Sequence, residues 1–235
     1  MFFIVVFSCS TLEFDDSIDA VFKSGKKSLK DKKYNRAKGE FEFIILNSTE
    51  DYQYVADSYF YLAEAKYYLE KYSESIEDYN TFLKSPVRDV NLSNKAEFMI
   101  CKSWFYLSND VMKDQTDTKI AIDKLQSYIE KESMKQYVVQ INDMIVALRN
   151  KLAEKDFQTA MLYLQLEKKE SAIIYFQNII NEYYDSQFID DCIVNIAYLK
   201  AEDNQNLALD YLNSNKDSFL SISKYQDAVN FINNK

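Results

Sequence analysis

The sequence predicts an all-α fold: a solenoid of about five helix pairs, with a long helix joining N- and C-terminal arms. Three observations predict it. First, the 235 residues include only two glycines, Gly25 and Gly39, and one proline, Pro86. Strand-rich folds turn their corners on glycine and proline, whereas helices joined by short polar loops do without them. Second, one small–bulky–bulky pattern recurs along the chain. Third, the stretch from Gln136 to Leu166 contains no helix breaker. The 47% hydrophobic content is that of a globular chain and excludes wholesale disorder.

The recurring pattern is that of a tetratricopeptide unit, two antiparallel helices spanning about 34 residues. Its second (B) helix carries a small residue where the helices cross, with bulky residues four and seven places later. These positions share one helix face, and close approach of two helices requires a small side chain. The pattern first reads Tyr34, Ala37, Phe41, Ile44, and returns as Tyr72, Ser75, Tyr79, Phe82. A third copy is Ala121, Leu125, Tyr128, and a fourth is Ala172, Phe176, Ile179. A weaker fifth consists of Ala208 and Leu212. Each B helix needs a first (A) helix with its own small residue about twelve positions earlier. Gly25, Ala63 and Ala160 stand at that distance from Ala37, Ser75 and Ala172. Cys101 lies further from Ala121, so repeat three carries a polar insertion from Ser108 through Thr118, which is expected to loop out. In the fifth repeat the bulky Ile196 stands where a small residue belongs.

Between repeats three and four, Val138, Ile141, Ile145, Leu148 and Leu152 follow the alternating spacing of a core-facing helix seam. This places one long helix over 136–166. The expected organisation is a signal segment and lipidation site over 1–9, an N-terminal arm of repeats one to three over 17–135, and a C-terminal arm of repeats four and five over 136–235.

Composition excludes several functions. The net charge of −9 and the mixing of lysines with acids argue against a nucleic-acid partner, which needs a basic stripe to release counterions. The absence of histidine removes the commonest general base, and two glycines cannot build a phosphate loop. No cofactor or metal is expected. Asp15-Asp16 and Asp190-Asp191 stand near predicted helix starts, where acids favour the helix dipole. Cys101 and Cys192 lie in apolar helical patterns and read as buried thiols.

The binding surface of such a solenoid is the face lined by A helices. Side chains on it fall three before, and one and four after, the small A-helix residue. They are Phe22, Lys26 and Leu29 in repeat one, Phe60, Glu64 and Tyr67 in repeat two, and Phe98, Lys102 and Phe105 in repeat three. Aromatics recur, so Phe22, Phe60, Tyr67, Phe98 and Phe105 are the expected lining of a peptide groove. The carboxylate clamp of chaperone adaptors is absent: of Phe22, Lys26, Tyr61, Lys95 and Met99 at the equivalent positions, only Lys95 matches.

At the start of the chain, MFFIVVF is too short to span a bilayer. Val6-Phe7-Ser8-Cys9 resembles the end of a bacterial lipoprotein signal, with an aliphatic residue, a small residue and the cysteine that accepts lipid. A basic opening is missing, so the true start is expected upstream. The competing reading is a hydrophobic N-terminus on a cytoplasmic protein.

Together these features resemble the BamD/ComL lipoproteins of outer-membrane assembly. The residues carrying the resemblance are Lys113-Asp114-Gln115-Thr116-Asp117-Thr118 before Ala121, then Leu148-Arg149-Asn150-Lys151-Leu152-Ala153. Ala160 and Tyr163 lead on to Glu170-Ser171-Ala172-Ile173-Ile174 and Asn181-Glu182-Tyr183-Tyr184-Asp185-Ser186. The resemblance implies a non-catalytic protein at the periplasmic face of the outer membrane, lipid-anchored through Cys9. It also implies a BamA-type barrel protein, unfolded outer-membrane protein substrates and other assembly subunits as partners. N-terminal repeats would recognise substrate and C-terminal repeats the barrel partner. This chain departs from the family at Phe176, where an arginine is usual, so an apolar partner contact is expected there, with Lys168 and Lys169 as the charged alternatives. Other periplasmic scaffold lipoproteins of this fold and a cytoplasmic adaptor are the rival readings.

Overall fold

The structure is a computed structural model that describes residues 17–48, 52–108 and 110–234. Among the described residues it is all helical: α1 (Ile18–Lys30), α2 (Tyr34–Asn47), α3 (Tyr52–Tyr68), α4 (Tyr72–Lys84), α5 (Val90–Leu107), α6 (Thr116–Ile129), α7 (Val138–Gln165), α8 (Lys169–Glu182), α9 (Ile189–Asp203), α10 (Gln205–Ser214) and α11 (Ile222–Asn233). The long uninterrupted helix is α7, of 28 residues, entered through a 3-10 turn over Glu132–Tyr137. The chain divides into two compact units between Ser103 and Trp104, within α5.

The first unit stacks helices in sequence order, α1 on α2, α2 on α3 and α3 on α4, with α1 also touching α3. The crossing residues named by the repeat pattern form its core. Ala37, Phe41, Ile44, Ala63, Tyr79 and Phe82 are all fully buried. The α1–α2 crossing is so close that a Cβ on Gly25 would lie 2.7 Å from Phe41 Cζ. At the α3–α4 crossing Ser75 replaces alanine, and its hydroxyl donates to the carbonyl of Ala63 (2.9 Å), so the buried polar group is satisfied by its own crossing partner.

In the second unit α6 packs on α7, α7 on α8, α8 on α9, and α9 on both α10 and α11. Ala160, Ala172, Phe176, Ile179, Ile196, Ala208 and Leu212 lie in one core, and the α7 seam is buried at Ile141, Ile145, Leu148 and Leu152. Cys101 and Cys192 are buried thiols, as their settings in the sequence indicate. Two features differ from the sequence reading. The insertion does not simply loop out. Gln115, 7% exposed, donates to the carbonyls of Asp110 (2.7 Å), Val111 (3.1 Å) and Lys113 (3.1 Å) and accepts from Thr118 (2.7 Å). Lys151 reaches Ser108 Oγ and Lys155 the Lys113 carbonyl, each at 2.6 Å, and these bonds tie the loop to α7. The two N–H bonds of this one amide are shared among three carbonyls that secondary structure would otherwise satisfy. The second difference is α11, a helix beyond the fifth pair, capped by Ser221 and buried through Ala228 and Ile232.

The scarcity of glycine raises the question of how the A helices turn into the B helices. Lys32, Glu70 and Glu167 adopt left-handed backbone at φ 58°, 61° and 57°. In each turn the N–H of the following lysine bonds back to the helix: Lys33 to Ser28 O (2.8 Å), Lys71 to Lys66 O (2.9 Å), Lys168 to Tyr163 O (2.9 Å). The residue at positive φ bonds to the carbonyl three before it, completing a Schellman cap in all three repeats. That lysine then becomes the first cap of the B helix, its carbonyl accepting from Ala37, Ser75 and Ala172, the small crossing residues. Turn and crossing are thus locked in register, four residues apart.

Candidate protein-binding face

In the first unit the A-helix face is built from α1, α3 and the first part of α5. Phe22 is half-buried and meets Phe41, Tyr54 and Tyr61 edge-on at 5.9, 5.1 and 5.5 Å. One turn later Lys26 lies over two of these rings, 5.6 Å from the Phe22 centroid and 5.2 Å from that of Tyr61. On α5, Lys95 sits 5.3 Å over the Phe60 ring and pairs with Glu64 at 2.5 Å. Lys102 lies 5.0 Å over Tyr67. Three ammonium groups are therefore held on aromatic faces along one side of the unit. Among the described residues Lys26 and Lys102 form no ion pair; Glu64 neutralises only Lys95. A cation over a ring keeps its charge and three donors for a ligand, while the ring fixes its position. The face is locally basic on a chain that is acidic as a whole.

The expected groove residues separate on inspection. Phe22, Phe98 and Phe105 are half-buried, and Phe105 meets Tyr106 edge-on at 5.3 Å. Phe60 and Tyr67 belong to the core instead, at 0% and 8% exposed. Phe60 is enclosed by Tyr61, Tyr79 and Phe82, at 5.2 to 5.5 Å. The reason is that α3 touches α1, α2 and α4, so little of its circumference is left to line a surface. These two rings reach the surface only through the lysines that cover them. Only Lys26 on Phe22 follows a spacing of four legible in the sequence; Lys95 and Lys102 reach Phe60 and Tyr67 from another helix, so no local pattern announced them.

The partner-contact residues also need correction. Phe176 is fully buried, 5.6 Å from Phe157, and offers nothing to a partner. Its place four residues after the crossing residue Ala172 assigns it to the core by the same rule that found the repeat. Lys168 is exposed at the start of α8, whereas Lys169 is paired with Glu202. Cys9 and Asp15-Asp16 lie outside the described residues. Asp190 and Asp191 do occupy the first turn of α9, but each also holds α11. Asp190 accepts from the backbone N–H of Leu220 (2.7 Å) and Ser221 (2.9 Å), and Asp191 pairs with Lys224 at 2.8 Å.

Helix pairs at tetratricopeptide spacing define the class: a helical-repeat protein, here carrying a stripe of lysines on aromatic rings. Comparison with known proteins gives the family. A family model described as an outer membrane lipoprotein, YfiO, matches residues 14–218, and the chain belongs to that family. Among solved structures, the apo form of RapI is similar at 16% identity and a TM-score of 0.34, over 90% of this chain and 56% of that one. None of the curated proteins compared with the chain matches it. Among the described residues no helix is long and apolar enough to cross a membrane.

Proposed function

We propose that this outer-membrane lipoprotein is a non-catalytic component of the β-barrel assembly machinery, anchored at the periplasmic face by lipid on Cys9. Its first unit holds extended segments of unfolded outer-membrane proteins, and its C-terminal repeats dock on a BamA-type barrel protein. Family membership supports the setting. The observation that carries the binding role is the lysine stripe, because Lys26 and Lys102 present ammonium groups on aromatic supports without an ion-pair partner among the described residues. Such groups favour a peptide that brings a carboxylate together with apolar side chains.

The test is binding of a short fluorescent peptide ending in an aromatic residue and a free carboxylate. Replacing Lys26 and Lys102 together by Ala weakens binding about tenfold or more, since each charged contact contributes on the order of 1 kcal/mol. The variant stays helical, because neither ammonium is buried. Unchanged affinity in the double variant refutes the assignment of the face. For the anchor, mass spectrometry of membrane-extracted protein shows acyl chains on Cys9; an unmodified thiol there excludes it.

A further inference from the structure

The hairpin of α1 and α2 is positively charged in an acidic chain. Residues 17–48 carry eight lysines and arginines against four acids, within a chain of net charge −9. Each of those acids has a cation of its own: Asp19 pairs with Lys23 at 2.6 Å, Asp31 with Lys33 at 3.8 Å, Glu40 with Arg36 at 3.0 Å and Glu42 with Lys38 at 3.0 Å. Four lysines are left over. Lys26 lies on the rings of Phe22 and Tyr61. The other three, Lys27, Lys30 and Lys32, are exposed and gather at the tip, two in the last turn of α1 and one in the turn that follows. Among the described residues none of these three forms an ion pair.

Neither the turn nor the helix end demands these lysines. The same Schellman turn closes α3 and α7, so equivalent positions can be compared directly. Where the first turn has Lys27, Lys30 and Lys32, the second has Ala65, Tyr68 and Glu70, and the third has Leu162, Gln165 and Glu167. One backbone therefore accepts either sign of charge. A cation near a helix C-terminus is favourable, yet α3 and α7 end without one at these positions. Solubility of an end helix does not require a single sign either: α11, at the other end of the chain, carries one charge of each, Lys224 and Asp227. Beside the tip, Lys27 lines a cavity of about 150 Å³ between α1 and α2 together with Lys33 and Arg36, where Asp31 is the one acid on the wall.

We infer that this tip is a contact surface for an anionic phospholipid bilayer, its lysines lying among the headgroup phosphates. A local surplus of one sign selects a partner of the other. The choice of a bilayer among polyanions rests on the lipid anchor proposed above. Cys9 precedes Ser17, the cap of α1, by eight residues, at most about 29 Å of chain. The 13 residues of α1 add about 20 Å, so the anchor leaves the tip within reach of the headgroups. A basic cluster is the kind of second signal that makes anchoring by acyl chains firm. A nucleic acid, by contrast, needs a basic track longer than one turn.

The experiment is flotation of the full-length Cys9→Ser protein, which cannot be acylated, with vesicles of phosphatidylcholine alone or mixed with phosphatidylglycerol. Neutral vesicles measure whatever residues 1–8 contribute, and the excess on anionic vesicles measures the tip. Replacing Lys27, Lys30 and Lys32 together by Gln is expected to lower binding to anionic vesicles about a hundredfold, at roughly fivefold per lysine near a charged surface. The same replacement at Lys119, Lys124 and Lys168, three exposed lysines of the second unit, changes the net charge equally and leaves binding unaltered. Circular dichroism of both variants shows the helical fold retained. Equal binding of the starting protein to both kinds of vesicle overturns the surface, and undiminished binding by the tip variant, or an equal loss in the second variant, overturns its location. Tighter binding to duplex DNA than to anionic vesicles of equal phosphate content overturns the class of partner. Acylation is read separately, by mass spectrometry of the unsubstituted protein, so a failed anchor and a failed tip are distinguishable.

Discussion

Gly25 and Gly39 allow the same chemical change to be made in two neighbouring helices with opposite expected outcomes. Both are interior to helices, α1 and α2, and in both an alanine gains about 0.5–1 kcal/mol of helix preference. At Gly39 nothing lies within 4 Å of the added Cβ, so the gain is realised. At Gly25 the Cβ meets Phe41 Cζ at 2.7 Å, Cε1 at 2.9 Å and Cε2 at 3.1 Å. The ring cannot swing aside: it is fully buried, with Phe22 edge-on at 5.9 Å and Tyr61 stacked at 5.5 Å. Overpacking of this kind costs about 1–3 kcal/mol. Because helix preference cancels between the two sites, the difference in stability between Gly25→Ala and Gly39→Ala isolates that packing cost, about 1–3 kcal/mol. Urea unfolding followed by far-ultraviolet circular dichroism measures it, and amide exchange in α1 and α2 assigns the loss to the first unit. Equal shifts of the midpoint in the same direction for both variants would refute the reading of Gly25 as the crossing point.

Two further predictions follow from other parts of the structure. Glu70→Gly and Glu167→Gly each raise stability by roughly 0.5–1 kcal/mol, since a left-handed non-glycine residue costs about 1–2 kcal/mol and glycine returns part of that in unfolded-state freedom; a lowered urea midpoint counts against the Schellman turns. Burial works against the charge on Glu40, but hydrogen bonds from Ser24 and Ser28, both 2.7 Å, and from Arg36 at 3.0 Å outweigh it and hold its carboxyl below the ordinary 4.5. Its contribution is therefore present above that value and lost as pH falls through the folded value, so Glu40→Gln costs about 1–2 kcal/mol at neutral pH and nothing once the wild type is protonated; a gap between the two proteins that stays constant down to acid pH contradicts this.

The sequence by itself determined the helical class, the pairing and the core. Spacing alone named Ala37, Phe41, Ile44, Ser75, Tyr79, Phe82, Ala172, Phe176 and Ile179, all of them buried, because a period of 3.6 residues converts position in the chain into position on a face. It also located the long helix, since nothing between Gln136 and Leu166 interrupts one. Even the burial of Phe176 was written in that spacing. What only the tertiary structure decided depends on how many neighbours surround a given face. Phe60 shares a periodic position with Phe22 and Phe98, and Tyr67 with Leu29 and Phe105, yet α3 is enclosed by three helices and its rings sink into the core. The turns at Lys32, Glu70 and Glu167 carry no glycine to announce them, because backbone hydrogen bonds and the packed crossing five residues later offset the strain. A cavity beside α7 gathers Asp114, Lys119, Lys155 and Asn178, with their neighbours, from four segments spread over 114–183. No local pattern links these residues, because their proximity arises only when the insertion folds down on α7.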